Sequence, residues 1–72
     1  MKLNYYPETD SLYIDLSERP SVDSQEAAPG VVIDYDADGH IVGIDIDNAA
    51  SVVNLTRLDI ESFPLAVAST SK

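Results

Sequence analysis

The segment from Val31 to Ile46, VVIDYDADGHIVGIDI, constrains the chain more than any other stretch. Val31, Ile33 and Tyr35 alternate with Val32, Asp34 and Asp36. Beyond the turn, His40, Val42, Ile44 and Ile46 alternate with Ile41, Gly43 and Asp45. A period of two on both sides of a tight turn is the pattern of a half-buried β-hairpin. The turn Asp36-Ala37-Asp38-Gly39 suits a type I turn with glycine in the left-handed position, where the absence of Cβ removes the steric penalty. This hairpin fixes the fold class as sheet-based.

A second hairpin precedes it. Leu3 and Tyr5 alternate with Lys2, Asn4 and Tyr6, and Leu12, Ile14 and Leu16 alternate with Ser11, Tyr13 and Asp15, around the turn PETD. Strands are expected at about 2–6 and 11–16. Tyr6 and Tyr13 fall on the polar face, where they could pack together or meet a partner. SVDSQEAA, 21–28, is polar and weakly patterned, so it reads as an edge strand or an ordered loop. After the second hairpin, Asp47 or Asn48 can cap a short helix beginning at Ala49 and stopping near Asn54. Residues 55–63 fit a second short helix slightly better than a last strand, with Thr56 as cap and Asp59 three residues on. The expected architecture is α+β: a small antiparallel sheet of about four strands from two hairpins, followed by one or two short helices. Residues 1–63 form one domain and 64–72 a flexible tail.

At 72 residues the chain is near the lower limit for folding on a single core, and without cysteine it has no disulfide, thiolate metal site or catalytic thiol. Small unstapled domains often complete their core by self-association, so a homodimer is expected. Thirteen acids against four scattered bases give a net charge of −9. Direct nucleic-acid binding and adhesion to anionic membranes are therefore disfavoured. No apolar run approaches a membrane span or a signal peptide, and a cytoplasmic location is expected.

The stretch from Asp34 to Asp45 also matches a calcium loop. Asp34, Asp36 and Asp38 stand at places one, three and five, Gly39 at six and Asp45 at twelve. Two features argue against that use. Aspartate at twelve is short for a bidentate ligand, and Pro29-Gly30 leaves only β-branched VVI where a helix should enter the loop. Turn aspartates accepting local backbone hydrogen bonds are the better reading. His40 reads as a solvated turn residue. Ser11 and Ser51 lack any nucleophile signature. Asp34, Asp45 and Asp47 share a region of the sheet, but acid–base work needs a sheltered cleft that so small a sheet hardly offers. No catalytic residue and no cofactor is expected.

Two longer motifs resemble a known family. NYYPETDSLYIDL, with Tyr-x-Pro-Glu-x-Asp-x-Leu-Tyr-Ile ending at Ile14, and GVVIDYDADGHIVGIDIDNAAS, with Val32 to Gly39, Val42 to Ile46 and Ala50-Ser51, resemble the bacterial domain-of-unknown-function family 2283, also called YuzE-like. The likeness covers about residues 3–53, with Asp45 where many relatives carry glutamate. It implies a compact antiparallel sheet with a short helix and no established catalysis. Members often look like one half of a two-gene pair beside a toxin-like protein, which implies an antitoxin-like role with a basic partner. Tyr6, Tyr13, Asp34 and Asp45 are the candidate interaction surface.

Overall fold

The computed structural model describes residues 1–64. It holds one five-stranded antiparallel sheet: β1 (Lys2–Tyr6), β2 (Ser11–Asp15), β3 (Asp23–Ala28), β4 (Val31–Tyr35) and β5 (Ile41–Asp47). One helix follows, α1 (Ala49–Val52). The strands lie in the order β1-β2-β5-β4-β3, so the last strand among the described residues occupies the centre, between β2 and β4. No helix among the described residues is long and apolar enough to cross a membrane.

Cross-strand register sorts the side chains into rows. Leu3, Ile14, Ile44, Ile33 and Gln25 stand opposite one another across the sheet, and so do Tyr5, Leu12, Ile46, Val31 and Ala28. These two rows carry no charge. The intervening rows present Lys2, Asp15, Gly43, Asp34 and Ser24, then Asn4, Tyr13, Asp45, Val32 and Glu26. Strand alternation thus separates an apolar face from an acidic one, as the sequence period requires.

The turns follow their local chemistry. Gly39 takes φ +84° and its N–H donates to the Asp36 carbonyl at 3.1 Å. Val42 is the extra residue of a β-bulge, because Asp34 pairs with Gly43 while Tyr35 pairs with Ile41.

Several expectations need correction. The sheet has five strands rather than about four, and with one helix of four residues the fold is mostly β. The added strand is DSQEAA, for which the edge-strand reading holds over the loop: its polarity reflects an exposed edge that pairs only with β4. Residues 55–63 form neither helix nor strand. Asn54 Oδ1 accepts from the Thr56 N–H at 3.0 Å and from its hydroxyl at 2.6 Å, a local turn that turns the chain away from a helix start. The segment instead runs over the apolar face, where Leu55 and Leu58 border Leu3, Leu12 and Ile14. The expected tail lies, beyond Pro64, outside the described residues.

Neither Asp47 nor Asn48 caps the helix with its side chain. Asn48 itself sits at φ +52°. The cap comes from the other hairpin: the Asp10 carbonyl accepts from the Ala49 N–H at 2.9 Å, and its carboxylate accepts from the Ala50 N–H at 3.1 Å. The Tyr5 hydroxyl donates to the same carboxylate at 2.8 Å, and this bond holds the Tyr5 phenol protonated above its ordinary pKa of 10.0. Asp10 adopts φ +53°, a conformation aspartate tolerates better than most residues. Asp10→Ala should therefore cost ~1–2 kcal/mol through the lost cap, and Asp10→Asn, which keeps an acceptor and tolerates the backbone, clearly less. Chemical denaturation of the two variants against the parent checks the ranking, which equal losses would contradict.

Candidate functional site

The acidic face is organised around Gly43. A β-carbon there would overlap the Tyr13 phenol, because the Tyr13 side chain from β2 lies across β5 at this position. The absence of a side chain lets the ring cross a central strand and reach β4. Its hydroxyl donates to Asp34 Oδ2 at 2.8 Å, while the Ser24 hydroxyl of β3 donates to Asp34 Oδ1 at 2.6 Å. A chain of side-chain bonds thus runs across β2, β5, β4 and β3. Bonding to the Asp34 carboxylate, then burial, pushes the Tyr13 phenol up to about 12. The charged oxygen accepts the proton more strongly than water would, so ionisation of Tyr13 is opposed.

Asp45 stands opposite Tyr13 in the ladder. Partial burial raises its carboxyl pKa first, and the nearby charges of Asp47 and Asp34 raise it further. The expected grouping of Asp34, Asp45 and Asp47 is therefore present, with Tyr13 at its centre. Tyr6 shares the face but stands on the outer strand opposite Ser11, exposed and away from this group. Of the four expected interaction residues, three cluster and one lies at the rim.

The calcium-loop residues divide between two environments. Asp34 and Asp45 belong to the sheet face. Asp36 turns inward and is the buried charged side chain among the described residues, 6% exposed. Its Oδ1 accepts from the Asp38 and His40 backbone N–H groups, each at 2.9 Å, and its Oδ2 from Arg19 Nη1 at 2.8 Å. The Arg19 guanidinium and then the His40 N–H hold the Asp36 carboxyl down to about 2, from an ordinary 3.8. Arg19 Nη1 also lies 3.1 Å from His40 Nδ1, so the histidine ring, exposed as expected, accepts this bond when Nδ1 is unprotonated. Asp36, Asp38 and His40 could offer ligand atoms within 4.8 Å of one another, without Asp34 or Asp45. A cation there would have to displace Arg19, because the lone pairs of Asp36 already face three donors. Asp36 acts as the turn's anchor, binding the loop around Arg19 to the β4–β5 hairpin.

Sequence reasoning singled out Tyr13, Asp34, Asp36 and Asp45 but missed Gly43, Ser24, Arg19 and Asp10. One signal was available: an isolated glycine inside a strand marks a bulge or a close approach. Nothing in the order of residues marks Arg19 as the partner of Asp36.

The profile of a family described as "Protein of unknown function (DUF2283)" matches residues 2–49. No curated protein and no solved structure matches the chain. The matched span contains the whole sheet and ends at the first residue of α1.

Two outcomes follow from this geometry. Gly43→Ala should destabilise the fold by ~1–3 kcal/mol, the range for overpacking, and free the Tyr13 phenol to titrate nearer 10. The phenol's bond stabilises the fold fully below its unfolded pKa and is lost as pH rises through about 12. Alkaline absorbance titration resolves the change, and an unaltered profile would refute the crossing role of Gly43. For Asp36 the sign is opposite. Its folded pKa is depressed, so its contribution is present above 3.8 and is lost as pH falls towards about 2. Thermal melts through that window should show a steeper loss in the parent than in Asp36→Asn.

Proposed function

The chain belongs to this family of proteins of unknown function, and we propose that it is a noncatalytic protein-interaction domain whose acidic sheet face takes a basic protein. The observation that carries this reading is the segregation of charge. Asp15, Asp34, Asp45, Asp47 and Glu26 project on one face, where Lys2 at the edge is the base within the paired strands. Burial and then the nearby charges of Asp47 and Asp34 raise the Asp45 carboxyl, and a Lys or Arg from a partner would lower it. Tyr13 and Tyr6 add aromatic surface of the kind that favours guanidinium stacking. The resemblance to one half of a two-gene pair sharpens the reading to an antitoxin-like role, with a basic, RNA-directed protein as the partner. Charge complementarity would steer that encounter and make it sensitive to salt.

Co-expression with the product of the adjacent gene tests this. A complex is expected that weakens with rising salt and weakens further in Asp45→Asn with Asp47→Asn. A neighbouring product that is harmless alone and does not bind would end the antitoxin-like reading. The alternative reading, a divalent cation in the Asp34–Asp45 loop, draws support from the proximity of Asp36, Asp38 and His40. It demands a rise in melting temperature with millimolar calcium that Asp36→Asn and Asp38→Asn abolish. Because Arg19 already neutralises Asp36, no such rise is expected.

A further inference from the structure

We propose that the apolar face of the sheet is the contact surface of a homodimer, covered by the same face of a second copy. The sheet is a single layer. Among the described residues, Val42, Ile46 and Ala49 are the buried apolar side chains, and no large side chain is fully buried. A sheet's apolar face gains stability by burial against another layer. Residues 55–63 cover part of it, and they leave a groove lined by Met1, Leu3, Ile14, Leu58, Ile60 and Phe63, with Glu61 and Asp59 also on its wall and Asp59 paired to Arg57 at 2.7 Å. Leu58 and Ile60 are 66% and 63% exposed there, far more than the flank of a finished core would show.

Charge selects the occupant. Two chains of net charge −9 cannot meet through their acidic faces without setting carboxylates against carboxylates. Their central apolar rows carry no charge at all. Packing those faces together, with residues 55–63 of each copy accommodated between them, leaves both acidic faces outward and farther apart than the screening length of ~8 Å at physiological salt. Five strands of about five residues give a footprint of ~400 Å². Where residues 55–63 cover that face, the exposed Leu58, Ile60 and Phe63 take its place in the contact. A two-fold axis sets the same patch of both copies together, so apolar side chains meet apolar side chains. The acidic face stays free, so the dimer and the basic partner do not compete.

Sedimentation equilibrium of the full chain over a wide concentration range tests the proposal. The parent should approach twice 7.8 kDa. Leu58→Lys and Ile60→Lys, at positions already exposed in the single chain, should each weaken the dimer at least about tenfold. Circular dichroism of the monomeric variants should keep the sheet signal. Glu8→Lys, at an exposed position in the β1–β2 turn, should leave the dimer unchanged. A parent that remains monomeric at the highest concentration overturns the proposal, since the face then awaits another protein. A dimer indifferent to Leu58→Lys and Ile60→Lys, as pairing along the outer edge of β1 would be, overturns it equally.

Discussion

The Tyr13 phenol crosses strand β5 at Gly43 to reach Asp34 on β4, and this contact joins the strands on either side of the sheet's centre. Backbone ladders alone tie β2 to β5 and β5 to β4, each through its own neighbour. The phenol adds a direct side-chain link over the intervening strand, and Ser24 extends it to the outer strand β3. A single-layer sheet has little core to resist shearing of one hairpin against the other. A bond spanning several strands opposes that motion where packing is thinnest. It also holds Asp34 in place on the acidic face, so the feature that orders the fold also shapes the surface proposed for a partner.

Two further carboxylates show the same economy of means. Asp10, in the first turn, reaches the start of α1 and fixes the helix over the first hairpin. Asp36, in the second turn, gathers its own backbone donors and the Arg19 guanidinium. Each turn therefore carries one aspartate that binds a segment distant in sequence. In a chain of 72 residues with thirteen acids, these anchors explain why several carboxylates are not surplus charge. Five of the other acids, Asp15, Glu26, Asp34, Asp45 and Asp47, crowd one sheet face, and that face is the surface proposed for a basic partner.

The resemblance between the Asp34–Asp45 stretch and a calcium loop has a physical origin. Both a metal loop and this hairpin need a glycine at positive φ and an aspartate that accepts backbone N–H bonds within a tight turn. Shared turn chemistry produces shared letters. What separates them is the entering segment, because VVIDY pairs as a strand and sends Asp34 to the sheet face while Asp36 folds inward. Convergent ligands require a loop that curls around one point, and an extended arm cannot supply it.

Alternation between Val31 and Ile46, and again between Leu3 and Leu16, determined both hairpins, their facing and the acidic surface, because a strand's side-chain period is local. The Asp36–Gly39 turn was equally legible, since glycine's φ preference is a property of one residue. The edge strand Asp23–Ala28 was ambiguous because an exposed strand needs no apolar period, and residues 55–63 misled because Thr56 and Asp59 imitate a cap while Asn54 takes the donors of Thr56. Only the tertiary structure decided that β5 enters between β2 and β4, that Gly43 makes room for Tyr13, that Asp10 caps α1 and that Arg19 meets Asp36. Those choices bring together residues far apart in the chain, and local period and propensity carry no information about which distant partner a side chain will find.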